Sequence, residues 1–142
     1  MIHWPDVVPL ESLSELDVSQ VRSLWMLDWY DGPLDAIVVY AGKPCRLVLY
    51  DANVLVTSRP WTWLLFSLSP EEWVAHERSH ALFLAHVGGH GDTTGQSLPL
   101  PSGRPEKFYD VRRATPMNDP RVEDIVGYLT GAPEPLVSRT SA

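Results

Sequence analysis

The fold turns on residues 61–92, where WTWLLFSL (61–68) runs straight into SPEEWVAHERSHALFLAHVGGHGD (69–92). The first segment is aromatic or apolar at odd and even positions alike, which suits a strand that is central or covered by the helix that follows it. Ser69 starts a different rhythm. Its hydroxyl can cap a helix, Pro70 fits the first helical position, and Glu72 completes a capping box at the positive end of the helix dipole. Beyond it the apolar spacing is helical: at about 100° per residue, Trp73, His76, His80, Phe83, Leu84 and Val87 share one stripe. Glu71, Arg78, Leu82 and His86 fall roughly opposite. Gly88-Gly89 supplies the left-handed conformations that close a helix end. The spacing therefore predicts a helix over Pro70–Val87, with His76 and His80 among apolar neighbours.

Upstream, Val21 to Tyr30 alternates as a half-buried strand does, with Val21, Trp25, Leu27 and Trp29 on one side and Arg22, Asp28 and Tyr30 on the other. Asp31-Gly32-Pro33 reads as a turn. Two further apolar runs, Leu34–Ala41 and Cys45–Tyr50, are separated by Gly42-Lys43-Pro44. Four strands and a helix on short links predict an α+β domain: an antiparallel β-sheet of four to five strands packed against one long central helix. Asp28 and Asp35, with Asp31 between them, form a carboxylate cluster that turn chemistry explains.

Past the helix, residues 90–105 are rich in Gly, Pro, Ser and Thr and predict a long loop. Lys107–Arg112 is a candidate short strand. Asp119-Pro120 then opens a predicted short C-terminal helix, in which Val122, Ile125, Val126 and Leu129 keep helical spacing up to Gly131. The chain accordingly divides into an N-terminal arm over 1–20 with a possible short helix, a single domain over 21–131, and a disordered tail over 132–142. Trp4 is placed to pin the arm to the domain.

The chain has 142 residues, a formal charge of −7 and a pI near 5.1. That balance argues against sequence-independent binding to nucleic acid or anionic membranes, because phosphate would be repelled. No apolar run reaches the roughly 20 residues of a membrane span. No basic-then-apolar leader opens the chain, so the cytoplasm is the expected compartment. Cys45 is the lone cysteine, which leaves no partner for an internal disulfide.

One pattern carries chemistry. His76-Glu77-x-x-His80 on a helix sets two imidazoles on one face for a single zinc and places Glu77 beside the metal-bound water as general base. Extended to His86, it is similar to the zinc helix of metzincin proteases. The three histidines alone also resemble the metal motif of a family of small bacterial RNA-processing endoribonucleases. That resemblance, over eleven residues, implies a zinc-dependent hydrolase. Both families place a glycine between the second and third histidine, where this chain has Phe83. With the helix unbroken, His86 lies about 240° round from His80 and is poorly placed to share its metal. His90 and Asp92, beyond the glycines, are the better third ligands. Met117 lacks the flanks of a methionine turn.

The tryptophans point elsewhere. Six in 142 residues exceed what one small core usually needs, and Trp25, Trp29, Trp61 and Trp63 on strands are candidates for a contact surface. With the acidic balance, they make the leading expectation a small module that docks on another protein with a basic surface. Immunity proteins, antitoxins and counter-defence inhibitors share this profile. The zinc hydrolase is the alternative.

Overall fold

Ala41 and Gly42 both have positive φ, +50° and +83°, the backbone signature of a two-residue type I′ turn whose twist matches that of the strands it joins. Around it, in the computed structural model of the chain, β2 (Pro33–Tyr40) and β3 (Lys43–Leu49) pair from Tyr40↔Lys43 to Asp35↔Val48. The turn is thus Ala41-Gly42, and Lys43 and Pro44 belong to the strand. Pro44 is tolerated because the β3–β4 ladder begins only at Cys45↔Ser67, so its missing N–H interrupts no ladder on that side. The structure describes residues 2–29, 33–51, 60–86 and 118–131, apart from the side chains of Trp29, Pro33 and His86.

β1 (Val21–Trp29) precedes this hairpin, and β4 (Trp61–Ser67) and β5 (Ile125–Gly131) follow it. The five strands lie in chain order, β1-β2-β3-β4-β5, with every pair antiparallel. The single helix among the described residues, α1 (Pro70–His86), connects β4 to the segment before β5. Its start is the expected capping box: the Ser69 N–H donates to Glu72 Oε1 at 2.9 Å, and the Glu72 N–H donates to Ser69 Oγ at 3.1 Å. No helix among the described residues is long and apolar enough to cross a membrane.

The expected C-terminal helix is absent. Val122–Asp124 forms one 3-10 turn, after which Ile125–Gly131 is strand. The outer edge of β4 decides this, because a strand apolar on both faces needs hydrogen-bond partners on both sides. Ile125, Val126, Tyr128 and Thr130 suit a pleated surface.

Both faces of the sheet are covered. On one, Met26, Ala36, Val38, Leu47, Trp63, Leu65 and Leu129 form the larger core, with Leu16 and Val18 packed against it. On the other, Trp4 and Val8 cover Leu64 and Phe66, the Trp4 and Phe66 rings meeting at 5.1 Å. Residues 4–20 therefore pack on the sheet. Two 3-10 turns, Trp4–Asp6 and Leu10–Ser12, carry the chain over one face. Ser14–Leu16 then runs beside β5, the Tyr128 N–H donating to Ser14 O at 3.0 Å and the Leu16 N–H to Tyr128 O at 2.8 Å. Val18–Gln20 packs against β5 and leads directly into β1, so the two edges of a curled sheet approach each other there.

The helix is not central. It meets the sheet at Trp25, and His76 is its only fully buried residue among those whose side chains are described. The N-terminal segment occupies the ground expected of it. Two register shifts in β1, between Ser23 and Trp25 and between Met26 and Asp28, explain how Trp25 reaches α1. Strict alternation puts Trp25 with Val21, but the first bulge aligns Trp25 with Ile37, which lies opposite Arg46 on the face away from the larger core.

Candidate functional site

The bulges in β1 and the type I′ turn together bring a charged group to one patch. Asp28 lies opposite Asp35, and Asp35 opposite Val48. Arg46, two residues before Val48 on the same face, is diagonal to Asp35 and within reach of it. Its guanidinium grips the carboxylate with both prongs: Nε to Oδ1 at 2.9 Å and Nη2 to Oδ2 at 2.6 Å. Nη1 also donates to the carbonyl of Asn118 at 3.3 Å, which ties the segment before β5 to the middle of the sheet. Side-chain exposure is 14% for Arg46 and 21% for Asp35, so the pair is largely withdrawn from water. Desolvation alone pulls the Arg46 pKa down, yet it ends raised, because the hydrogen bonds and charge of Asp35, helped by the charges of Asp119 and Glu72, outweigh burial.

This pair sits in a cleft of about 260 Å³. Ile2 and Trp4 of the N-terminal segment wall one side, and Leu34, Val48 and Leu49 supply apolar surface from the sheet. Asp28 and Asp119 complete the lining beside Pro120. Among the described residues the lining thus carries three carboxylates and one guanidinium. Next to it, His3 Nδ1 lies 3.0 Å from Asp6 and Nε2 3.6 Å from Asp51. Its pKa is raised chiefly by the hydrogen bond to Asp6, with desolvation opposing and the charges of Asp6 and Asp51 adding to the rise.

The histidine helix is arranged differently. His76 is 5% exposed, Glu77 is exposed, and His80 is half-buried with its ring flat on Trp25, centroids 4.2 Å apart and planes 4° from parallel. Trp73 stacks on the same indole at 5.7 Å. His76 and His80 thus lie on the side of α1 that faces the sheet, while Glu77 points to solvent. Among the described residues no group of three His, Cys, Asp or Glu side chains is placed to hold a metal ion. His90 and Asp92 lie outside the described residues, as do the side chain of His86, Met117, the 90–105 loop, the 107–112 segment and the tail over 132–142.

Of the tryptophans expected at a contact surface, Trp25 is 8% exposed, Trp61 5% and Trp63 0%. Trp61 and Trp63 fill the larger core of the curled sheet, and Trp25 is covered by Trp73 and His80 of α1. The side chain of Trp29 lies outside the described residues. Burial raises the Cys45 thiol above its ordinary range, with Lys43 opposing, which leaves little thiolate to react.

No motif or spacing singles out Arg46, although the strand carries a local signal for it. Between Cys45, Leu47 and Leu49, which point into the larger core, Arg46 is a cation amid the strand. With Ala41-Gly42 as the turn, it falls one diagonal step from Asp35. Comparison with protein-family models, with curated proteins and with solved structures finds no match for the chain.

Proposed function

We propose that this protein acts in the cytoplasm by binding another protein through a basic surface on that partner, in the manner of an inhibitor, immunity or counter-defence module. The observation that supports this most is the cleft: a concave, apolar-walled site whose described lining carries three carboxylates and one guanidinium, on a chain of net charge −7. Such a site attracts cationic groups and repels phosphate. The zinc-dependent hydrolase has narrower support, since it rests on the His76 and His80 pair and requires a third ligand from His90 or Asp92.

Affinity capture from the native cell tests the binding reading. One stoichiometric partner of basic surface is expected, retained at low salt and released as ionic strength rises, because exposed charge pairs are screened over about 10 Å at 0.1 M salt. A partner that is acidic, or whose retention is indifferent to salt, would refute it, as would capture of none across several ionic strengths.

A further inference from the structure

We propose that His3 is a proton-operated latch on the cleft: as an imidazolium it bridges Asp6 and Asp51 and holds Ile2 and Trp4 in place as the cleft's N-terminal wall. Its consequence, control of partner binding by pH, rests on the docking reading. The two contacts do different things. Asp6 belongs to the 3-10 turn Trp4–Asp6, so the 3.0 Å contact from Nδ1 stiffens that turn locally. Asp51 follows β3, so the 3.6 Å contact from Nε2 ties the N-terminal segment to the sheet. Asp51 is also the less exposed carboxylate, 34% against 81% for Asp6, and its contact is the less screened by water.

The proton decides whether both contacts exist. A neutral imidazole has one N–H and donates at one nitrogen, whereas the imidazolium donates at both. With a carboxylate at each nitrogen, only the charged ring satisfies the arrangement. The hydrogen bond to Asp6, then the charges of Asp6 and Asp51, accordingly favour the protonated form against desolvation. Glu11 and Tyr50 lie at the same corner. The Tyr50 phenol is raised by burial first, then by the charges of Glu11, Asp51 and Asp6, and so stays neutral where His3 titrates. As pH rises through the His3 midpoint the proton leaves to water. The remaining N–H stays with Asp6 at the shorter distance, and a bare ring nitrogen then faces the Asp51 carboxylate, so the tie to the sheet is lost.

Other ties limit what moves. Tyr50 Oη donates to Val8 O at 2.7 Å, and Trp4 is buried against Phe66. The segment is therefore fixed behind the latch. Ile2, ahead of it and 37% exposed, is the wall residue that depends on it most. Loosening also reaches the Trp4 carbonyl, which accepts from the N–H groups of Val7 and Val8 at 2.9 and 3.0 Å. Because ion pairs near the surface contribute little, the change is a few-fold rather than all-or-none.

The test is amide hydrogen exchange on the full ¹⁵N-labelled chain on either side of the His3 midpoint, expressed as protection factors so that the intrinsic pH dependence of exchange cancels. The Val8 amide, in a buried residue and bonded to the Trp4 carbonyl, should lose protection by about twofold or more as pH rises through that midpoint. His3→Gln should make its protection independent of pH. Asp51→Asn should lower the His3 midpoint and flatten the Val8 response. Asp6→Asn should lower the midpoint and keep the response, because the tie to Asp51 remains. A wild-type response under about twofold, one that survives in His3→Gln, or one that Asp51→Asn leaves intact would each overturn the proposal. A captured partner should be held less tightly above the midpoint, and His3→Gln should remove the difference. If Val8 responds but no basic partner is captured, the latch stands and docking falls. If a partner is captured whose retention changes with pH equally in wild type and His3→Gln, docking stands and control by the latch falls.

Discussion

Gly127→Ala tests how the N-terminal segment is fastened to the sheet. Gly127 lies opposite Leu65 in the β4–β5 pair, and the backbone of Ser14–Leu16 crosses close above it. A Cβ at this position would sit 2.6 Å from the carbonyl oxygen of Ser14 and 2.7 Å from Leu16 Cγ. Carbon contacts are comfortable at about 3.5–4.0 Å, so the segment would have to withdraw by roughly 1 Å. That movement stretches the two hydrogen bonds linking Tyr128 to Ser14 and Leu16, at about 0.5–1.5 kcal/mol each. Lifting half-buried Leu16 off the larger core loses on the order of 1 kcal/mol more. The lower entropy of the unfolded chain returns about 0.4–1 kcal/mol. The expected net loss is roughly 1–3.5 kcal/mol. Urea unfolding at fixed pH measures it, and faster hydrogen exchange at the Leu16 and Tyr128 amides should accompany it. Gly131→Ala is the control, since a Cβ there meets only Val18 Cγ2 at 3.8 Å, an ordinary contact. A Gly127→Ala variant within about 0.5 kcal/mol of wild type, or one no less stable than Gly131→Ala, would refute the reasoning.

Three further expectations are open to measurement. Ala41→Asn should stabilise the protein by about 1 kcal/mol in urea unfolding, because asparagine tolerates the left-handed conformation that alanine holds here at φ +50°; a loss of stability would count against the turn assignment. His3 should titrate above its ordinary value of 6.5 in NMR. Since a raised folded pKa gives stability that is complete below the unfolded value and lost as pH rises through the folded one, Asp6→Asn should return the midpoint toward 6.5 and weaken that pH dependence, with Asp51 keeping the remainder. If the hydrolase alternative holds, untagged protein carries close to one equivalent of zinc, His80→Ala loses it, and Glu77→Gln keeps it without hydrolysis; metal content near zero that added zinc does not change dismisses the alternative.

Elements whose signals are local are legible in the chain without its fold. Ser69-Pro70 with Glu72 specified the start of α1 because both capping hydrogen bonds lie within four residues. The alternation of Val21–Tyr30 and the apolar runs after it placed strands β1 to β4 to within a residue or two, and short links made their antiparallel order the simplest one. Tertiary structure decided what depends on partners far along the chain. Ile125 and Leu129 fit a helical stripe and an alternating strand equally well, and the unfilled edge of β4, some sixty residues earlier, settled the choice in favour of strand. The bulges in β1 turned Trp25 from the expected face to the opposite one, because its side depends on the register with β2. Trp61 and Trp63 became core once both faces of the sheet were covered. The Arg46 clasp on Asp35 needed the turn moved to Ala41-Gly42, since a one-residue change in a hairpin's register carries every side chain to the other face.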